Sequence, residues 1–171
     1  FRARALAYVA EQLTGQALSD VLDDSLRTTL GIELGYLRAR AMAVIAIKMA
    51  KAGLLDAALH TARGIEYSNY QAEALIAVAA QMTGQIQAEL LLEVLDTVWE
   101  IEDRSDQVIV LAAMAEHLTG KIQVPILKGA LSTAQMIKDS DDRARALAAV
   151  AKPLAQLPPD RLHALWSPAL H

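Results

Sequence analysis

An eleven-residue segment recurs five times along this chain, and its spacing constrains the fold more than any other feature. The copies begin at Ala5, Ala41, Ala74, Val110 and Ala146, so that successive starts lie 36, 33, 36 and 36 residues apart. A repeat of this length is typically one supersecondary unit, which buries its apolar face only by stacking on neighbouring units. The sequence therefore predicts an array of similar units.

The recurring segment has the periodicity of a helix, which we name helix A of each unit. In the first copy, Leu6, Val9, Ala10 and Leu13 follow a spacing of three and four that places them on one helical face. One column of this face is always alanine: Ala10, Ala46, Ala79, Ala115 and Ala151. A larger side chain there would force packed backbones apart, so we expect a neighbouring helix to approach closely at this column.

A second apolar stripe follows each helix A and predicts a second helix, named B. In the third unit the stripe contains Leu91, Val94 and Leu95. Most B stripes end at an isoleucine: Ile32, Ile65, Ile101 and Ile137. Glycines that follow threonine, such as Gly84, suit the left-handed turn between A and B. Asp103 and Asp139 lie in the polar segments before later A helices and are expected to cap them.

These patterns predict an all-α fold, a right-handed α-solenoid of about five two-helix repeats of 33–36 residues. The expected A helices are 2–13, 37–51, 70–82, 106–118 and 142–154, and the expected B helices are 18–31, 54–65, 87–101, 123–137 and 159–170. Pro125 should lie in a first turn, and Pro153 should shorten or end its helix. The expected mid-array core is Leu75, Val78, Leu91, Leu95, Leu111 and Met114. We expect residues 1–171 to form one domain, a fragment of a longer protein.

Composition excludes several function classes. Aromatic residues make up only 4 % of the chain, which suits closely packed helices better than sheets. Apolar stretches such as residues 41–47 end at a charge well before the roughly 18–20 residues needed to span a bilayer, so the chain is expected to be soluble. A net charge of -4 argues against nucleic-acid binding. The absence of cysteine excludes disulfides and fits the cytoplasm.

One segment resembles a known repeat family. Residues 51–59, Lys-Ala-Gly-Leu-Leu-Asp-Ala-Ala-Leu, look like the turn and second-helix start of a tetratricopeptide repeat. The whole chain resembles the broad superfamily of tetratricopeptide-like and HEAT-like arrays, including helical sensor or scaffold regions of larger bacterial signalling proteins. Most units here have 36 residues rather than about 34, and the family's Trp-Leu-Gly-Tyr signature is absent, so no binding residue is transferred from the family.

Two features suggest a contact surface. The second helix A begins Arg38-Ala39-Arg40, and stacked arginines of this kind can grip a carboxylate or acidic peptide; the alternative is that they form ion pairs with neighbouring units. Trp99 occupies a column that is not always apolar, so it is either a partly exposed anchor for a partner or packing between B helices. We select Trp99, Arg38 and Arg40 as candidate partner-binding residues.

No arrangement of residues in the sequence indicates catalysis. Only Asp56 and His60 have the helical spacing of metal ligands, and two ligands do not make a site. We therefore expect a non-enzymatic protein without metal or cofactor, which binds a protein or peptide through a groove. The alternatives are a helical-repeat enzyme or cofactor-handling protein similar to bilin lyases, and a purely structural spacer. Apolar terminal faces, with Leu6 and Val9 at one end and Leu162 and Trp166 at the other, also predict self-association through open solenoid ends.

Overall fold

A computed structural model describes residues 15–118 and 122–166, and within these ranges every regular element is an α-helix. The helices are α1 Gly15–Leu30, α2 Gly35–Lys51, α3 Leu55–Arg63, α4 Ser68–Ala79, α5 Gly84–Val98, α6 Arg104–His117, α7 Gln123–Gln135, α8 Ser140–Ala155 and α9 Pro159–Trp166. In repeat terms, α2, α4, α6 and α8 are A helices, and the others are B helices. The expected helix over 2–13 lies outside the described residues. No helix in the described ranges has the length and apolar content needed to cross a membrane.

The chain divides into two compact units, one formed by the residues up to Thr97 and the other by those from Val98 onward. The same helix neighbours occur in both. In the first unit α2 packs against α3 and α4, and α3 also packs against α4. In the second unit α6 packs against α7 and α8, and α7 also packs against α8. Each of these A helices thus contacts its own B helix and the next A helix, as neighbouring members of a repeat do.

The apolar columns of the sequence form most of the core. Ala46, Ala79 and Ala115 are fully buried, so three members of the alanine column behave as expected, whereas Ala151 is exposed. The expected core residues Leu75, Val78, Leu91, Leu111 and Met114 are also buried. The α-helical spacing therefore identified the inward faces of α4, α5 and α6 correctly.

Two expectations were wrong. Leu95 is only half-buried, because the buried arc of α5 runs through Leu90, Val94 and Val98 and Leu95 lies at its edge. Pro153 neither shortens nor ends its helix: it lies buried inside α8, which continues to Ala155. A proline ring fixes φ near the helical value, so helix can follow it. Pro125 lies in the first turn of α7, as expected.

The ends of the A helices are closed by local hydrogen bonds. After α2, Gly53 has a φ of +79°, and the N–H groups of Gly53 and Leu54 donate to the carbonyl oxygens of Ala50 and Met49. This is the Schellman arrangement, which favours glycine at the left-handed position. At the other end of an A helix, Asp103 accepts a hydrogen bond from the N–H of Asp106 and caps α6. Asp139 caps α8 in the same way, which confirms both expected caps.

Candidate interaction surface

The first arginine of the Arg-Ala-Arg sequence is engaged within the fold. Its guanidinium, on Arg38, donates to the carbonyl oxygen of Ile32 at 3.1 Å and to the Oε2 atom of Glu66 at 2.9 Å. The side chain is only 26 % exposed. Arg38 therefore joins the start of α2 to the preceding loop and to the loop before α4, which is the structural role that the sequence left open for it.

The side chains at the position of Arg38 in the other A helices make similar hydrogen bonds. Each carries a side chain that donates to a carbonyl near the end of the preceding B helix: Arg38 to Ile32, Gln71 to Arg63, Gln107 to Val98, and Arg143 to Ile137, at 3.1–3.2 Å. Arg63 and Val98 end their helices, so the bonds from Gln71 and Gln107 satisfy last carbonyls that have no partner within the helix, whereas Ile32 and Ile137 lie in the loop two residues beyond. This column, which we name the cap column, ties each A helix to the end of the preceding B helix or to the loop after it. Its use of both arginine and glutamine is why the sequence did not reveal it.

The second arginine occupies a different setting. Arg40 is exposed and lines a cleft of about 400 Å³ between α2 and α4. The wall formed by α2 also contains Ala43, Val44 and Ile47, and α4 contributes Tyr70 and Glu73. The cleft thus combines an apolar floor with a guanidinium, a phenol and a carboxylate at its edge. Sequence reasoning selected Arg40 but did not identify Tyr70 or the apolar floor.

The equivalent arginine of the second unit, Arg145, is held by its neighbours. Its Nη2 atom donates to Asp142 Oδ1 at 2.9 Å and to Ser105 Oγ at 3.2 Å. A smaller cleft of about 210 Å³ lies nearby, lined by Asp103, Asp139, Asp142 and other residues of the loops before α6 and α8. Arg40 has no acid one turn earlier, because the position of Asp142 is taken by Leu37.

Trp99 follows directly after α5 and is 62 % exposed. The residues at equivalent repeat positions, Leu30, Arg63 and Gln135, are also exposed. The exposed ring contradicts the alternative in which Trp99 is enclosed between B helices. An exposed tryptophan has a large area available for a partner.

The helix α5 carries the acidic side chains Glu89, Glu93 and Asp96, and one of them is paired with an arginine. Arg63 forms a two-point ion pair with Glu93, with distances of 2.9 Å from Nε to Oε1 and 2.7 Å from Nη2 to Oε2. The hydrogen bond from Arg63 lowers the pKa of Glu93 below its ordinary value, and desolvation opposes this shift. The same bond raises the pKa of Arg63. Glu89 accepts a hydrogen bond from Gln85 at 2.7 Å.

Exposed apolar side chains gather at the corners before α2 and α4. Leu34, Tyr36 and Tyr67 are all about half exposed. The ring of Tyr67 lies close to Gly35, so that a β-carbon at Gly35 would meet the ring at 3.4 Å. The signal for these corners was present in the sequence, since Leu34 and Tyr67 occupy the column in which the second unit has Asp103 and Asp139.

The remaining titratable residues form no larger site in the part of the chain that the structure describes. No group of three or more His, Asp or Glu side chains there is arranged to hold a metal ion. His60, which has Asp56 four residues before it, is exposed on α3. Among the terminal residues named above, Leu162 is exposed, whereas Leu6, Val9 and the side chain of Trp166 lie outside the description.

Comparison with known proteins assigns no family. No family model matches the sequence, and the searches of curated proteins and of solved structures found no match.

Proposed function

We propose that this chain is a protein-interaction module, a right-handed α-solenoid of tetratricopeptide-like or HEAT-like type that acts in the cytoplasm. In such an array, equivalent side chains line up along an extended surface that receives a peptide or a partner domain. The recurrence of the same helix neighbours in both units supports this architecture. The cap column of Arg38, Gln71, Gln107 and Arg143 supports it further, since the same bond recurs at the repeat spacing.

The observation that carries the binding role is the cleft between α2 and α4. It is open, its floor is apolar, and polar groups converge at its edge, a combination typical of binding sites. Its volume of about 400 Å³ lies within the usual range for ligand sites, roughly 300–1,000 Å³. Arg40 lies in this cleft, whereas Arg38 serves the fold. Arg40 is therefore the arginine that we assign to the partner surface.

Trp99, in the second unit, is a separate candidate contact in the proposal. Tryptophan, tyrosine and arginine dominate the binding energy of many interfaces because they bury large areas and keep a polar handle. Leu92 and Met136 are also large, apolar and exposed. Met136 offers a matched control for Trp99, since both are exposed residues of the second unit that follow the end of a B helix.

The proposal is tested by selection from a random dodecapeptide library displayed on phage, with the immobilised folded protein as bait. Selected sequences are then synthesised and measured by isothermal titration calorimetry. We expect one-to-one binding that is weakened by Trp99→Ala or by Arg40→Gln and unchanged by Met136→Ala. A selection that enriches nothing beyond the blank matrix would contradict the proposal and favour a structural spacer.

A further inference from the structure

The cleft between α2 and α4 has a charge pattern along its length. On α2, Arg40, Val44, Ile47 and Lys51 follow a spacing of four, three and four residues and therefore share one face. A cation stands at each end of this stripe, and apolar side chains lie between. Eleven residues separate the cations, which corresponds to about 16 Å along the helix.

Neither cation is engaged by the described residues. Arg40 and Lys51 are both exposed, and no hydrogen bond or ion pair joins either side chain to the rest of the described chain. The opposite wall contributes one carboxylate, on Glu73, which has an interaction of its own. The stripe on α2 thus has a cation at each end, Arg40 in the lining of the cleft and Lys51 beyond it, whereas the opposite wall carries one carboxylate.

Extending the proposed function, we propose that this cleft binds an extended peptide segment of the pattern acidic, any, apolar, any, acidic. In an extended chain, residues two and four positions apart point to the same side, and four residues span about 13 Å. Two long acidic side chains cover the remaining distance to Arg40 and Lys51. The central apolar side chain then lies on Val44 and Ile47.

The chemistry of the cleft favours acids over bases. A guanidinium binds a carboxylate through two parallel hydrogen bonds, and Arg40 has no internal carboxylate to displace. The hydroxyl of Tyr70 is able to donate to a second oxygen. A basic peptide would find only Glu73, which is already engaged, and would be repelled by both cations.

The equivalent helix pair of the second unit, α6 and α8, pairs its own charges at these positions. The residues in the places of Tyr70 and Glu73 are Asp142 and Arg145, which form an ion pair, and the place of Ile47 is taken by Glu116, which pairs with Lys152. The place of Arg40 itself is taken by Ile109. The cation and the apolar stripe of the cleft are therefore features of the first unit alone among these two helix pairs.

The probe is the peptide acetyl-Glu-Ser-Leu-Ser-Glu-amide, compared with the same sequence carrying Gln or Lys in place of both Glu residues. Uniformly ¹⁵N-labelled protein is titrated and followed by two-dimensional ¹H–¹⁵N spectra. We expect the acidic peptide to shift amides of residues 40–51 and 70–77 and to lose affinity as salt is raised. The Lys peptide should not bind.

Arg40→Gln should weaken binding of the acidic peptide about tenfold, because it removes a charge-assisted hydrogen bond. Arg27→Gln is the matched control, since Arg27 is an exposed arginine on α1 and lies outside the cleft. The spectra also report whether each variant remains folded.

Equal binding of the Gln or Lys peptide, shifts confined to other helices, or no binding at millimolar peptide would each overturn the inference. The outcome is separable from the proposed function. If the phage selection yields peptides that bind another surface, the protein is an interaction module and only the assignment of this cleft fails. If the selection yields none, the function itself fails.

Discussion

The A-helix pair α2 and α4 of the first unit and the pair α6 and α8 of the second unit are built alike inside and differently outside. The buried apolar columns of α2 and α4 recur in α6, whereas α8 exposes Leu147 and Ala151 in those columns. At the surface, Asp103 and Asp139 cap the helices of the second unit, whereas Leu34 and Tyr67 occupy those positions in the first. The repeat thus preserves what stacking requires and leaves the surface free to diverge.

The two units also differ in how the surface charges of their A helices are paired. In the second unit Lys152 binds Glu116 and Arg145 binds Asp142, so the surface satisfies itself. In the first unit the column of Glu116 and Lys152 holds Ile47 and Ala80 instead. The first unit also pairs Arg38 with Glu66 and Arg63 with Glu93. Its Arg40, however, makes no ion pair with the described residues, and this favours the cleft between α2 and α4 as the site for an acidic group.

The largest expected effect tests the shared interior. Leu111→Ala should reduce the free energy of unfolding by about 2–5 kcal/mol, because it removes a leucine that is 1 % exposed and leaves a cavity. Leu147 lies in the same column but is 42 % exposed, so Leu147→Ala should cost less than about 1 kcal/mol. Urea denaturation measures both. Equal losses of unfolding free energy in the two variants would mean that Leu111 and Leu147 do not differ in burial.

A smaller effect tests the glutamine that closes an A helix in each unit. Gln123 is buried and donates to the carbonyl oxygen of Ala115 at 3.0 Å, and Gln87 makes the equivalent bond to Ala79 at 3.1 Å but is only half-buried. Gln123→Ala should cost about 1–2 kcal/mol, since it removes a buried hydrogen bond and leaves the carbonyl of Ala115 with only the longer bond, at 3.4 Å, from the N–H of Leu118. Gln87→Ala should cost about 0.5–1.5 kcal/mol, since water reaches its site more easily. A larger loss for Gln87→Ala in thermal or urea unfolding would reverse this ranking.

The two units differ at the residue that precedes each A helix. This difference can be tested by placing the aspartate of the second unit at the equivalent position of the first. Leu34 has φ and ψ of -74° and 106°, close to the -78° and 118° of Asp103, so an aspartate there has the backbone it needs. Leu34→Asp should raise stability by about 0.5–1 kcal/mol, and Asp103→Ala should lower it by a similar amount. A destabilised Leu34→Asp variant in calorimetry would show that the exposed leucine contributes packing that outweighs the cap.

The smallest expected effect concerns the ion pair between Arg63 and Glu93. Because the folded state lowers the pKa of Glu93, the pair stabilises the protein above the ordinary carboxyl range and loses this contribution as pH falls through the lowered pKa. Both side chains are partly exposed, so Glu93→Gln should cost only about 0.2–1 kcal/mol at neutral pH. The difference from the unmodified protein should shrink in urea titrations carried out in acid, below the ordinary carboxyl range. Asp96→Asn, on the same helix, is the control. If the stability difference between Glu93→Gln and the unmodified protein persists in acid, the ion pair is not its cause.

Sequence periodicity predicted the helices well because an amphipathic helix is specified by neighbours three and four residues apart. The bounds of α2 and α6 agree with expectation within two residues. Burial at the edge of a stripe was harder to predict, as Leu95 shows, because the width of the buried arc depends on which helices approach. The solenoid architecture, its handedness and the single domain stay predictions.

The sequence by itself determined that the described part of the chain is helical, the bounds of α1 to α8 to within three residues, and most of the columns that face inward, since these properties follow from local spacing. Only the tertiary structure decided what the two arginines of Arg38-Ala39-Arg40 do. The two arginines lie two positions apart, one on each side of Ala39. Arg38 nonetheless donates to Glu66 and to the carbonyl oxygen of Ile32, whereas Arg40 lines an open cleft. The partners come from the preceding loop and from residues about thirty positions away, and packing brings them to one arginine and not to the other.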